Sequence, residues 1–309
     1  MNDFNPSGNA DGGLPMQEIE HFTPETLDEA AALLMAADAP WPAQVEGTRL
    51  VLQVTGSPRP CTFVIDLERI PELNRLDYDE RGGLRIGAAV SYPSVLQFPP
   101  VRRVYPLLAD ACGTHRPADV GERSTFGGIL GNTRASAEIA PSLICLRASA
   151  AVFGPHGWSE LGVETLLTGS GRANIQPGEF VVDVRLPPPP PRSGGAYLRS
   201  SSQEATDKPM AGMGAFLVME EDLVTCCGAR LVLGAVAGTA QRALEAERFL
   251  AGKRLDAMIA QQAATVAVRI AQREGKDDAM TKDRLEEIGE LARRAILEAL
   301  ARVHKAAGT

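Results

Sequence analysis

The order of apolar and polar positions divides the chain into helical and extended stretches. Leu27, Ala30, Ala31, Leu34 and Met35 recur at helical spacing, and Thr23-Pro24 offers a cap followed by a first-turn proline, which predicts a helix over about 25–37. Residues 43–50 read as a short strand that breaks at Gly47, and the β-branched run 62–67 as another. A strand is expected over 84–90, helices over 91–98 and 101–112, a short helix over 138–147 and a strand over 148–153. Residues 180–186 form a strand that stops at five consecutive prolines, Pro187 to Pro191, whose backbone favours polyproline II and marks a domain boundary. Beyond it, 196–202, 212–219 and 226–236 read as three antiparallel strands, followed by helices over 240–250, 256–273 and 283–304. Leu285, Ile288, Leu291, Ala295 and Ile296 line one side of the last helix, a stripe suited to bundle packing.

Length and charge narrow the class. A chain of 309 residues, 44% of them hydrophobic, holds two or three domains with sizeable cores. A formal net charge of −8 argues against nucleic-acid or anionic-membrane partners, and the sequence has no run of 18 apolar residues to insert in a membrane. Residues 1–17 are rich in Asn, Gly, Asp and Pro and lack basic and apolar leader segments, so a disordered tail on a cytoplasmic protein is expected. Cysteines at 61, 112, 145, 226 and 227 show no CxxC spacing and read as reduced core residues, with adjacent Cys226 and Cys227 on opposite strand faces. The histidines at 21, 115, 156 and 304 are scattered, and no metal site is expected on this chain.

Candidate chemistry centres on Ser124-Thr125-Phe126-Gly127-Gly128-Ile129-Leu130-Gly131-Asn132, followed by Glu138-Ile139-Ala140-Pro141. A glycine pair after a hydroxyl residue lets backbone amides approach an anion, because no Cβ stands in the way. Taken alone, the same pattern also describes a tight turn.

Set in order, the segments resemble the FAD-binding medium subunit of molybdenum hydroxylases, the family of xanthine dehydrogenase and aerobic carbon monoxide dehydrogenase. That family's first flavin loop reads roughly Ala-Gly-Gly-Thr-Asp-Leu, where this chain has Val45-Glu46-Gly47-Thr48-Arg49-Leu50. Its second reads roughly Arg-Asn-x-x-Thr-Ile-Gly-Gly-Asn-Leu, where this chain has Gly121-Glu122-Arg123-Ser124-Thr125-Phe126-Gly127-Gly128-Ile129-Leu130. Asp66-Leu67-Glu68-Arg69-Ile70-Pro71-Glu72-Leu73, Leu84-Arg85-Ile86-Gly87-Ala88 and Leu233-Gly234-Ala235-Val236-Ala237 match further landmarks in the family's order.

The resemblance implies an α+β architecture. A two-subdomain FAD-binding fold of the PCMH type would occupy 18–188 (subdomains 18–75 and 76–188), and a three-stranded antiparallel sheet with a helical bundle 189–309. It implies FAD on this chain, held at Val45, Glu46, Gly47, Thr48, Arg49, Leu50, Ser124, Thr125, Gly127, Gly128 and Glu138. Val181 would also bind the cofactor, and His115 and Arg199 would stand nearer the flavin ring, with Asp207 in a neighbouring loop. It further implies a small partner with [2Fe–2S] clusters and a large molybdopterin partner, assembled as a dimer of heterotrimers. Electrons would leave through FAD to NAD⁺, a quinone or oxygen.

Three departures bear on that expectation. Glu46 puts a carboxylate and a Cβ where a glycine is usual, and Arg49 is positioned to neutralise Glu46 or the phosphate. Gly121-Glu122 and Ile129 remove polar contacts. A flavin-free scaffold subunit and a free-standing flavoenzyme stay open as alternatives.

Overall fold

The computed structural model describes residues 18–36, 44–46, 48–54, 61–113, 125–130, 133–167, 174–200, 211–236, 239–275 and 280–308. The tail 1–17, Gly47, His115, Gly121, Glu122, Ser124 and Asp207 lie outside them.

The first unit comprises β1 (Glu18–Phe22), α1 (Leu27–Ala36), β2 (Gln44–Glu46), β3 (Arg49–Val54) and β4 (Cys61–Asp66). Its sheet runs β1-β4-β3-β2, with β1 parallel to β4 and the remaining pairs antiparallel. The cap of α1 is Thr26 rather than Thr23. Its hydroxyl accepts the Glu29 amide at 3.2 Å, while Glu29 reaches back to the Glu25 amide at 2.9 Å, a close variant of the capping box. The strand expected over 43–50 is in fact a hairpin, with Glu46 opposite Arg49 and two residues at its tip.

A 3-10 turn, Pro71–Asn74, leads into β5 (Leu76–Asp79) and β6 (Gly83–Gly87). Then come α2 (Tyr92–Gln97), α3 (Pro99–Val104), α4 (Pro106–Gly113), α5 (Phe126–Leu130), α6 (Thr133–Cys145), β7 (Ser149–Gly154), β8 (Gly157–Gly162), α7 (Val163–Leu166) and β9 (Phe180–Leu186). These strands form an antiparallel sheet in the order β5-β6-β9-β7-β8. The helix expected over 101–112 is broken at Tyr105, because the residue before Pro106 is pushed out of helical backbone. The buried Tyr105 hydroxyl meets the carbonyls of Leu186 and Pro187 at 3.3 and 3.2 Å, pinning the start of the proline run, and burial pushes its pKa up to about 12. On β9, Asp183 is fully buried between the guanidiniums of Arg85 and Arg185 at 2.6 and 2.7 Å. A carboxylate taken out of water requires this kind of compensation.

After the prolines come β10 (Ser193–Arg199), β11 (Gly212–Met219), β12 (Cys226–Val236), β13 (Thr239–Arg242), α8 (Leu244–Leu250), α9 (Ala257–Glu274) and α10 (Lys282–Ala307). The sheet has four strands in chain order rather than the expected three, since 239–242, which overlaps the start of the helix expected over 240–250, pairs with β12. Met213, Ala215, Leu217 and Met219 on β11 pack with Ile288, Leu291, Ala295 and Ile296 of α10, so the stripe is bundle packing as expected. The opposite face of the sheet receives α4 and α6 from the preceding unit. Two ion pairs close this joint: Arg302 to Asp110 at 2.6 Å and Arg242 to Glu164 at 3.3 Å. Cys112, Cys145 and Cys226 are buried thiols, whereas Cys227 is exposed, because alternation along β12 turns it outward.

Candidate functional site

The second candidate loop is fixed on one turn, residues 87–90 at the end of β6, and Leu50 of the first shares a buried cluster with it. The Gly87 amide donates to the Arg75 carbonyl (2.7 Å), the Ala88 amide to Val182 (2.8 Å) and the Ala89 amide to Leu73 (2.8 Å). The turn is thereby tied to the 3-10 turn behind the first sheet and to the middle of the second. Gly87 has no alternative: a Cβ there would sit 2.1 Å from the Leu73 carbonyl oxygen. Ala88 packs with Leu50, Ile65, Leu67 and Leu73 of the first unit and with Phe153, Phe180 and Val182 of the second sheet.

The second loop docks on the other side of this turn. Thr125 forms a bridge with Ser91, the Phe126 amide donates to Val90 (2.9 Å), and the Gly127 amide donates to Ala88 (2.8 Å). The Gly128 amide donates to the Thr125 hydroxyl at 3.2 Å. A Cβ on Gly127 would come within 2.7 Å of the Ala88 Cβ. The glycine is therefore demanded first by packing, and both amides of the pair are engaged inside the protein rather than turned outward as the motif alone implies.

The first loop is held by a side chain. Asp66, at the end of β4, accepts the Thr48 hydroxyl at 2.8 Å and the Glu68 amide at 3.1 Å. Arg49 Nε lies 3.3 Å from its other oxygen. Burial alone would raise the Asp66 pKa, but the hydrogen bonds from Thr48, Glu68 and Arg49 outweigh it and hold the carboxyl below its ordinary value. Arg49 is thus committed to Asp66, with its side chain still 48% exposed at the hairpin tip, rather than to Glu46 alone. Sequence reading had placed Asp66 only within a family landmark. The signal for its role was the register that sets it directly opposite Arg49.

The remaining candidates are spread around this core. Leu50 is buried beneath the hairpin, and Val45 is its register partner. Backbone at Glu138 lies within α6. Val181, half-buried on β9, precedes the residue whose carbonyl holds Ala88. Arg199 ends β10 opposite Gly212, beside Ser200, whose hydroxyl bonds Glu287 on α10.

The exposed guanidinium of Arg49 at the hairpin tip is the feature of this arrangement that suits a phosphate-bearing cofactor. Fold and loops together define a flavin-binding subunit of two α/β units followed by a sheet-and-helix domain.

Comparison with known proteins agrees. The family model described as the FAD binding domain in molybdopterin dehydrogenase matches residues 17–189, more than half of the chain. The model described as the CO dehydrogenase flavoprotein C-terminal domain matches 196–299. The carbon monoxide dehydrogenase medium chain of Hydrogenophaga pseudoflava is 26% identical over 286 residues, covering 92% of this chain and 98% of the relative. The nicotine 6-hydroxylase medium subunit of Paenarthrobacter nicotinovorans is 26% identical over 292 residues, covering 94% and 100%. The solved carbon monoxide dehydrogenase of H. pseudoflava superposes with a TM-score of 0.75 at 26% identity, covering 94% of this chain and 99% of that one. The chain belongs to the family of FAD-binding medium subunits of molybdenum hydroxylases and is the flavoprotein component of an oxidoreductase. No helix among the described residues is long and apolar enough to cross a membrane.

Proposed function

We propose that this chain carries electrons between a partner subunit holding [2Fe–2S] clusters and a diffusible acceptor such as NAD⁺, a quinone or oxygen. A large molybdopterin partner would oxidise the substrate, and the assembly would be a cytoplasmic dimer of heterotrimers. The observation that supports this reading is that the turn 87–90, which holds the second loop by backbone bonds, shares one buried cluster with Leu50 of the first, so two separate chain segments meet on one core. Val45, Glu46, Gly47, Thr48, Arg49 and Leu50 would line one side of the FAD pyrophosphate, and Ser124, Thr125, Gly127, Gly128 and Glu138 the other. Val181 would also bind the cofactor, and His115 and Arg199 would flank the flavin ring, across the junction of units 18–75 and 76–188 from the domain 189–309. When bound, FAD couples one-electron delivery to two-electron release. The chain's own residues bind and orient it: Arg49 supplies positive charge, and Asp66 fixes the hairpin from which Arg49 projects.

Co-purification with its partners, followed by mass spectrometry of heat-released cofactor, tests the reading. About one FAD per chain is expected. An intact complex without FAD would establish instead the flavin-free scaffold, a reading for which Glu46 and the engaged amides of Gly127 and Gly128 speak. A chain that purifies alone and turns over a substrate by itself would establish a free-standing flavoenzyme.

A further inference from the structure

The sheet of β10 to β13 is longer than the helix that covers its inner face. Helix α6 ends at Cys145, and past that end a cavity of about 480 Å³ opens between β11, β12 and the proline run. Phe216 and Val218 form its apolar wall and Pro187 to Pro190 its roof. Three arginines, Arg147, Arg230 and Arg242, are among its lining residues.

Among the described residues, Arg242 alone of these three has ion-pair partners. Arg242 pairs with Glu247 at 2.5 Å and with Glu164 at 3.3 Å. Arg230 bonds the Ile144 carbonyl at 2.8 Å, and among the described residues no carboxylate lies within ion-pair distance of it or of Arg147. Burial, and then the fields of Arg242 and Arg147, lower the Arg230 pKa despite the more distant Glu164 and Glu247. The carbonyl end of α6 accounts for Arg230 as a cap. It leaves Arg147 unexplained. Arg147 and Ala148 close α6 by donating their amides to Ile144 (3.1 Å) and Leu143 (2.9 Å), an arrangement whose left-handed position glycine normally fills. Arg147 takes it at φ 57°, a conformation unfavourable for any residue with a side chain. The chain thus tolerates backbone strain and places a second uncompensated cation at the mouth of a half-apolar cavity.

We propose that this cavity binds a small organic anion, a carboxylate or phosphate on an apolar body. Arg230 and Arg147 hold the charge, and Phe216, Val218 and the proline rings seat the body. The site is separate from both nucleotide loops and does not depend on the flavin reading.

Calorimetric titration of the full chain as purified with phenyl phosphate and with benzoate, at fixed ionic strength, tests it. Saturable binding of at least one probe near one site per chain is expected, weakened roughly fivefold or more in Arg230→Gln and in Arg147→Gly. The Arg147→Gly variant decides the matter if Arg230→Gln fails to fold, because glycine adopts the left-handed position without strain and its thermal midpoint should not fall. No saturable heat from either probe, or unchanged affinity in Arg147→Gly, overturns the proposal. So does loss of the wild-type signal when partner subunits are present, which would make the cavity part of a subunit contact.

Discussion

The two loops that face the proposed flavin seat are held by opposite means. The loop at 125–130 is secured through its own backbone, by amides of Phe126 and Gly127 on the carbonyls of Val90 and Ala88. The hairpin tip at Thr48 and Arg49 is secured through one carboxylate, Asp66. A backbone-held loop is indifferent to the identity of exposed side chains but intolerant of added bulk. A side-chain-held loop accepts bulk but depends on the charge state of its anchor.

The largest effect should follow from adding a methyl group to the backbone-held side. Gly87→Ala forces an atom to within 2.1 Å of the Leu73 carbonyl oxygen, which only a backbone shift relieves, and should cost about 3 kcal/mol or more. Gly127→Ala meets the Ala88 Cβ at 2.7 Å, with the Ala88 carbonyl oxygen at 3.0 Å, so backbone must move here too but by less, and it should cost about 2 kcal/mol. Denaturant unfolding orders the two. If Gly127→Ala is neutral for stability while FAD affinity falls, the glycine serves the ligand rather than the packing, and the contrast between the loops fails.

How far this was legible in the sequence follows the same division. Strands 180–186, 212–219 and 226–236 match their expected bounds, because local apolar content and flanking Pro, Gly and Asp punctuate them. The strand at 239–242 was hidden because Ala240-Gln241-Arg242 has helical propensity, and only long-range pairing with Val232 and Leu233 makes it extended. The edge strands β1, β5 and β8 carry mixed polarity and went unread for the same reason. In the candidate site, Gly127 and Thr125 were legible as a motif but their bonding was not. The motif points to free amides, whereas tertiary packing engages them. Asp66 was invisible as an anchor because its partners lie 17 and 18 residues upstream on a neighbouring strand.

The side-chain-held hairpin should respond to pH and the other loop should not. Because the Asp66 pKa is lowered in the fold, its contribution is present above the unfolded value of about 4 and is lost as pH falls through the folded value. Asp66→Asn removes the ion pair with Arg49, weakens the bonds from Thr48 and Glu68, and should cost about 1–2 kcal/mol at pH 7. That deficit should shrink as wild type is taken below about pH 4. FAD fluorescence titrations of both proteins from pH 7 down to about pH 3 give the corresponding reading in affinity, because the folded carboxyl takes up its proton only below about 4. Parallel curves at all pH values would show that Asp66 does not set the hairpin.

The smallest effect concerns Glu46, the residue that departs most from the family's first loop. Glu46 and Arg49 are register partners across the hairpin, yet Arg49 is paired with Asp66. If the first loop takes the FAD pyrophosphate as proposed, Glu46 brings a negative charge to that loop while Arg49 is paired with Asp66. Two like charges at about 4 Å repel by roughly 1 kcal/mol in water, so Glu46→Gln should tighten FAD about two- to fivefold at low salt. The gain should fade as ionic strength approaches about 1 M, where screening acts over about 3 Å. Tightening that persists at high salt would place the gain in shape or hydrogen bonding instead of charge. Weaker binding in Glu46→Gln would reverse the assignment and make the carboxylate a direct ligand contact, received by the side of FAD that carries hydroxyl donors rather than by its phosphates.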